Sequence, residues 1–130
     1  MINLKIIMAA ANVQTTAQQF IVHYFDCLDN KKPQLSSLYN DASIMNWESE
    51  VFVGKNILGK LGGFPQTKHS IQAVDVQPSA QPNAIHIVVV GQLFSIGQSV
   101  GLPFVESFFL VPSGTSYIIS NQFLRWMNAL

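Results

Sequence analysis

The sequence predicts an α+β fold in which N-terminal helices pack on one face of an antiparallel sheet. Apolar residues recur at helical spacing before residue 40, whereas alternating apolar runs separated by Pro, Gly and Asn dominate after residue 65. The two patterns follow one another instead of alternating, which favours an α+β arrangement over βαβ units. The 130 residues are enough for one domain with a hydrophobic core.

The first helix is predicted to begin near Thr16. Thr16 and Gln19 fit a capping box, in which each side chain bonds to the backbone N–H of the other residue. One apolar face follows at helical spacing: Val13, Ala17, Phe20, Ile21, Tyr24 and Leu28. The pattern stops near Asp29 and Asn30, where we expect the helix to end.

Two shorter helices are predicted next. Pro33 suits the first turn of the second helix, because a proline there removes no helical hydrogen bond. Its apolar residues are Leu35, Leu38 and Tyr39. A third short helix is predicted over residues 54–61 and is terminated by Gly62 and Gly63.

The remaining elements are predicted to be strands. Residues 43–53 indicate two short strands joined by a tight turn. Four longer strands are expected at residues 69–77, 84–94, 103–111 and 116–126, and Gly91 suggests a bulge in the second of them. Their apolar positions fall on both faces of the sheet, which favours coverage of the outer face by a second copy of the chain.

Composition excludes several classes of function. The chain is 48% hydrophobic and 11% charged, with seven basic and seven acidic residues. Zero net charge gives no electrostatic argument for binding nucleic acid or an anionic membrane. No run approaches the roughly 20 apolar residues that span a bilayer. Cys27 has no second cysteine to pair with, and we expect a buried, inert thiol in a reducing compartment.

The N-terminus is predicted to be an extension. Residues 1–12 carry one cation and a short apolar run, which makes a poor signal peptide. Met8, which is followed by small residues, is an alternative start. The domain itself is therefore predicted to cover residues 13–130, and a disordered extension is one expectation for residues 1–12.

The residues with the clearest binding chemistry are Trp47 and Glu48. They place an amphipathic indole beside a carboxylate at the predicted turn, which suits a partner that carries an apolar group and a cation. The alternative is that Trp47 anchors the core and Glu48 is solvated. The three histidines (His23, His69 and His86) are scattered and lack metal-ligand spacing.

From Gln19 to about Arg125, the chain resembles the nuclear transport factor 2 family, small carriers of GDP-bound Ran. The matching segments include Trp47-Glu48, Phe64-Pro65 and Gly91-Gln92-Leu93. Others lie at residues 20–25, 34–39, 69–78, 104–108 and 121–123. The resemblance implies a cone-shaped fold with a strongly curved sheet, a homodimer formed through that sheet, and an apolar cavity at the wide end.

The resemblance also implies the Ran-binding residues. An aromatic side chain of Ran would enter a cavity with Trp47 and Phe64 at its mouth and with Leu102 and Phe123 in its wall. Glu48 would be the acidic rim residue that pairs with a cation of Ran. Lys68 and His69 belong to the same implied rim, where His69 would orient neighbouring groups.

The chain departs from the family pattern at three places. The loop after Gly91-Gln92-Leu93 lacks the two carboxylates that the family uses, so the positions near Ile96 and Gln98 cannot form those ion pairs. The segment between Phe64 and His69 is about two residues short, which predicts a reshaped cavity rim. Val13 stands where the family binds phenylalanine-glycine repeats of nucleoporins with an aromatic residue, and it predicts weaker binding.

The resemblance implies a non-enzymatic carrier that needs no cofactor, because the nucleotide belongs to Ran. Such a carrier would bind nucleoporin repeats and act in the cytoplasm, in the nucleus and at the nuclear pore. One alternative is a heterodimerisation module in messenger RNA export. The other is an isomerase or dehydratase that uses His69 and Asp75 inside the cavity, with Asp26 as a weaker candidate.

Overall fold

The computed structural model describes residues 4–127, with side chains described from residue 12 onwards. The described helices are α1 (Leu4–Asn30), a 3₁₀ helix (Lys32–Leu38) and α2 (Lys55–Gly62). The strands are β1 (Ile44–Trp47), β2 (Glu50–Val53), β3 (Thr67–Pro78), β4 (Ile85–Ser95), β5 (Leu102–Ser113) and β6 (Ser116–Trp126). The predicted α+β class and the order of elements are confirmed.

The six strands form one sheet in the order β2-β1-β6-β5-β4-β3. Strands β3 to β6 form the predicted antiparallel meander. The prediction of a purely antiparallel sheet is wrong at one place, because β1 pairs with β6 in parallel. This pairing brings the β1–β2 hairpin next to the end of the chain, so residues near Trp47 and residues near Trp126 meet.

Helix α1 begins at Leu4, so the helix start predicted at Thr16 is wrong. Residues 4–11 contain neither Gly nor Pro and include three Ala together with Leu, Lys and Met, all of which favour helix. Because the helix already runs through Thr16, the neighbouring N–H groups have helical partners and need no cap. Residues 4–12 of the predicted extension are thus part of α1, and residues 1–3 lie outside the described residues.

The core lies between α1 and the inner face of the sheet. On the sheet side it contains alternate residues of β4 and β5, namely Ile85, Ile87, Val89, Phe104, Phe108 and Leu110. Tyr24 of α1 contacts Phe108 edge to face, with ring centroids 4.9 Å apart. Cys27 is buried in the same core, and burial raises the pKa of its thiol, as expected for an inert cysteine.

The predicted bulge near Gly91 lies on the neighbouring strand. The register between β3 and β4 shifts between Ile71 and Ala73, opposite Gly91. A Cβ atom at Gly91 would lie 2.4 Å from the backbone oxygen of Ser70. Glycine is therefore required here by the close approach of β3.

Candidate functional site

The β1–β2 turn brings the indole and the carboxylate together. Its central residues, Glu48 and Ser49, have φ values of 51° and 76°, as a type I′ turn requires. Trp47 ends β1 and is buried, with 7% of its surface exposed, while the neighbouring Glu48 is half-buried at the turn. The local geometry therefore fits the alternative interpretation of this pair, in which Trp47 anchors the core and Glu48 is accessible to solvent.

Trp47 lies in an aromatic cluster at one end of the molecule. Its ring centroid is 4.8 Å from that of Phe64 and 5.8 Å from that of Trp126, which packs edge to face. Phe64 is partly buried in the segment between α2 and β3. Trp126 was not predicted to belong to the site, because only the parallel pairing of β1 with β6 brings it there.

A small apolar hollow adjoins this cluster. Its lining residues come from α1, β1, β3, β4 and the segment before β3: Leu28, Trp47, Phe64, Thr67, His69 and Leu93. The hollow measures about 30 Å³, which is room for about one water molecule. The expectation of an open cavity that receives an aromatic ring is thus wrong for this conformation. Trp47, Phe64 and His69 do line the hollow as implied, whereas Leu28, Thr67 and Leu93 were missed.

Phe123 does not form a wall of the hollow, and its assignment is corrected. Its two neighbours in β6, Gln122 and Leu124, are buried, so Phe123 points to the opposite, outer face, with 53% of its surface exposed. Side chains alternate along a strand, and a sequence match in β6 that is misread by one position reverses the face. Leu102 is 39% exposed at the start of β5, opposite Leu93, and is not among the lining residues.

Glu48 is engaged by β6. Its Oε2 accepts a hydrogen bond from Nη1 of Arg125 at 2.7 Å, and its Oε1 accepts one from the backbone N–H of Trp126 at 3.0 Å. The Arg125 side chain is 59% exposed and that of Glu48 is 28% exposed. The predicted rim carboxylate is therefore accessible, but a partner's cation would compete with Arg125 for it.

His69 is bound to a carboxylate that sequence inspection missed. Its Nδ1 lies 2.6 Å from Oδ1 of Asp29, and its backbone N–H donates to Oδ2 of the same residue. The Thr67 hydroxyl donates to Oδ1 as well. Asp29 thus joins the end of α1 to the start of β3. A carboxylate near a helix C-terminus is electrostatically unfavourable, and this was the available signal that Asp29 has another partner.

The other implied residues lie apart from the hollow. Lys68 is exposed and lines an open groove of about 380 Å³ beside the β4–β5 loop. Asp75 is exposed on β3. Asp26 accepts a hydrogen bond from Asn30 and forms an ion pair with Lys31 at 3.3 Å, which together lower its pKa. The enzyme hypothesis requires Asp75 or Asp26 to line the hollow, and neither residue does so.

The β4–β5 loop and Val13, which the resemblance implicated in partner binding, differ in their exposure to solvent. Ile96 and Val100 in the loop are exposed, with 61% and 82% of their surface accessible. Val13 is half-buried and packs against the core from α1. The implied repeat-binding residue therefore offers only part of a small side chain.

A buried polar network, which the sequence did not reveal, connects α1, β5 and β6. The amide nitrogen of Gln122 donates to Oε2 of Glu106 at 2.6 Å and to the Tyr24 hydroxyl at 2.8 Å. The Tyr39 hydroxyl donates to the amide oxygen of Gln122 at 2.6 Å. Burial raises the pKa of Glu106 to about 8 and also raises the pKa values of Tyr24 and Tyr39. The raised pKa favours the neutral form of the Glu106 carboxyl near pH 7.

The outer face of the sheet carries exposed apolar side chains. Several come from β1, β2, β4 and β6: Ile44, Val51, Val53, Val88 and Phe123. A concave surface of about 300 Å³ lies on this face, bordered by His86, Ser107, Phe109 and Phe123 among others.

Among residues 4–127, no helix is long and apolar enough to cross a membrane. No metal-binding group of three His, Cys, Asp or Glu side chains occurs within the same range.

A sheet covered by one long helix, with an aromatic hollow at one end, defines a domain of the nuclear transport factor 2 type. The family model for the nuclear transport factor 2 (NTF2) domain matches residues 16–126. The chain therefore belongs to the nuclear transport factor 2 family. This confirms the resemblance found in the sequence. The function that the family name gives to its members is nuclear transport.

Individual relatives agree with this assignment. The chain is 34% identical over 117 residues to nuclear transport factor 2 of Oryza sativa subsp. japonica, covering 88% of this chain and 96% of the relative. It is 33% identical over 112 residues to the protein of the same name from Davidiella tassiana, covering 84% and 90%. The solved structure of nuclear transport factor 2 from Cryptosporidium parvum superimposes with a TM-score of 0.82 at 30% identity, covering 98% of this chain and all of that one.

Proposed function

We propose that this chain is a homodimeric, non-enzymatic carrier that binds GDP-bound Ran and nucleoporin repeats and moves Ran into the nucleus. It would act in the cytoplasm, in the nucleus and at the nuclear pore. The observation that carries the proposal is the position of Trp47 and Glu48 at one turn beside an apolar hollow. Near full-length similarity to nuclear transport factors supports it.

The charges and apolar surface of the site favour a modest affinity. Burying one aromatic side chain of Ran at the hollow contributes about 1.5–3 kcal/mol. Glu48 adds less than a free carboxylate would, because Arg125 already pairs with it. The acid-free β4–β5 loop adds no further ion pair with a cation of Ran. A carrier that must release its cargo is compatible with such an affinity.

A Ran titration tests the proposal. We expect calorimetry to show binding to GDP-bound Ran and much weaker binding to the GTP-bound form. Equal binding to the two forms, or binding to neither, would reject the carrier assignment. Replacing Glu48 with Lys should weaken the complex about tenfold, because a cation then faces the cation of Ran. Glu50→Lys is the matched control, because Glu50 is exposed at the other end of the same turn; equal losses in the two variants would remove Glu48 from the site.

The hollow also supports the absence of catalysis. His69 and Asp29 form the ionisable pair at its edge, but the Asp29 oxygens already accept hydrogen bonds from the Thr67 hydroxyl and the His69 backbone N–H. Asp75, the predicted partner of His69, is exposed on β3. Proton transfer inside the hollow would therefore require a different conformation.

The outer face of the sheet is the proposed homodimer interface. Phe123 is more than half exposed at its centre, between Asn46 of β1 and Ser107 of β5. We expect Phe123→Glu to convert the dimer to a monomer, because each copy would bury an unpaired carboxylate. Light scattering after gel filtration measures this.

Val22→Glu is the control for this experiment, because Val22 is an exposed apolar residue on α1. A dimer that persists in Phe123→Glu would place the interface elsewhere. A wild-type chain that is monomeric until a different subunit is added would favour the messenger RNA export module, which the acid-free loop also permits.

A further inference from the structure

Phe64 occupies the region where an aromatic ring would be expected to bind. Its ring packs on Trp47 at 4.8 Å and forms one side of the hollow. The space that remains is about 30 Å³, whereas an engineered apolar cavity that binds benzene measures about 150 Å³. A ring from a partner can therefore enter only if a side chain of this protein moves away.

Of the side chains that line the hollow, Phe64 is the best placed to move. Leu28 and Trp47 belong to a helix and a strand and are buried, whereas Phe64 lies in the connection between α2 and β3 and is only partly buried. Gly62 and Gly63 precede it. Glycine has no Cβ atom, so both residues can adopt backbone angles that other residues avoid, which favours movement of the segment that follows.

Two lysines hold Phe64 in its inward position. The Lys60 ammonium lies 5.5 Å from the centre of the Phe64 ring, within the range of a cation–π contact. The Lys32 ammonium donates a hydrogen bond to the backbone oxygen of Phe64. Both contacts are partly exposed to solvent, so each contributes modestly and can be broken without disturbing the core.

We propose that Phe64 is a displaceable plug, which fills the aromatic site in the free protein and swings out when a partner's ring binds. This rests on the proposed function only for the identity of the partner. Lys60 and Lys32 set the fraction of molecules in which the plug is open. The apparent affinity for the partner equals the affinity of the open form multiplied by that fraction.

The first test uses benzene and does not depend on Ran. Phe64→Ala should enlarge the hollow to the size of a ring, so we expect saturating benzene to raise the melting temperature of this variant strongly. The wild type should show a smaller rise, because its plug must open before benzene binds. Phe94→Ala is the matched control, because Phe94 is half-buried in β4 but lines the Lys68 groove instead. Three results would contradict the plug proposal: no response of Phe64→Ala, an equal response of Phe94→Ala, or no response of the wild type at saturating benzene.

The second test measures association with GDP-bound Ran by stopped flow. Lys60→Gln weakens the hold on Phe64 without changing the hollow, and we expect its association rate constant to rise about threefold or more. Lys55→Gln, at an exposed position of the same helix, should leave the rate constant unchanged. An unchanged rate constant in Lys60→Gln would overturn gating by the plug. Absence of Ran binding in every variant would reject the carrier function, and the benzene result would then decide the plug alone.

Discussion

Replacing Glu106 with Gln is expected to stabilise the protein at pH 8 by up to about 4 kcal/mol. Glu106 is 2% exposed, and its recorded polar partner is the neutral amide of Gln122. Burial raises the pKa of Glu106 from 4.5 to about 8. In the unfolded chain the group ionises freely, so folding at neutral pH requires it to take up a proton. A glutamine reproduces the protonated form, and its carbonyl oxygen can still accept the hydrogen bond from Gln122.

The sign of the pH dependence follows from this raised pKa. Below pH 4.5 the carboxyl is protonated in both states and does not affect the stability. Between pH 4.5 and about 8 the folded state binds the extra proton, so the free energy of unfolding falls by about 1.4 kcal/mol for each pH unit. Above about pH 8 this contribution has been lost and the curve levels.

Urea unfolding at pH 5, 6.5 and 8 measures this effect. We expect the wild-type stability to fall across the series and the fall to be much smaller in Glu106→Gln. Glu50→Gln provides the baseline, because Glu50 is exposed and its replacement should leave the pH dependence intact. If wild type and Glu106→Gln lose stability in parallel, Glu106 is ionised in the folded protein and the buried network has been misinterpreted.

Replacing Trp47 with Ala is expected to lower the free energy of unfolding by about 3–5 kcal/mol. The indole is 7% exposed and contacts the rings of Phe64 and Trp126, so its removal leaves a void at the edge of the core. Trp126→Ala should cost less, because Trp126 is only half-buried. Urea unfolding of the two variants at one pH gives the comparison.

A loss below about 1 kcal/mol in Trp47→Ala would show that Trp47 is a surface residue available to a partner, contrary to the packing described here. A loss of the expected size means that weakened Ran binding in this variant has two causes, lower stability and a missing contact. Trp47→Phe separates them, since it retains most of the packing and removes the larger ring. For this reason Glu48→Lys, and not Trp47→Ala, is the cleaner test of the Ran site.

Local features were predictable because their causes lie within a few residues. Alternation and turn residues located all six strands, and the sequence around Trp47 and Glu48 correctly predicted a tight turn. The start of α1 was wrong because Thr16 and Gln19 have the right spacing for a cap, and a cap motif has no role where the preceding turn is already helical. Phe123 was placed on the wrong face because it was assigned from the family resemblance, and a shift of one position along a strand reverses the face.

The amino-acid sequence by itself determined the α+β class, the order of the elements, the family and the proximity of the indole to the carboxylate. Each of these depends on short-range patterns or on the order of motifs along the chain. Only the tertiary structure decided that Phe64 fills the hollow and that Arg125 neutralises Glu48. It likewise decided that Glu106 is buried against Gln122. These contacts join residues that are distant in sequence. Their distances depend on the strand order, on the register and on which side chain occupies the space between neighbouring elements.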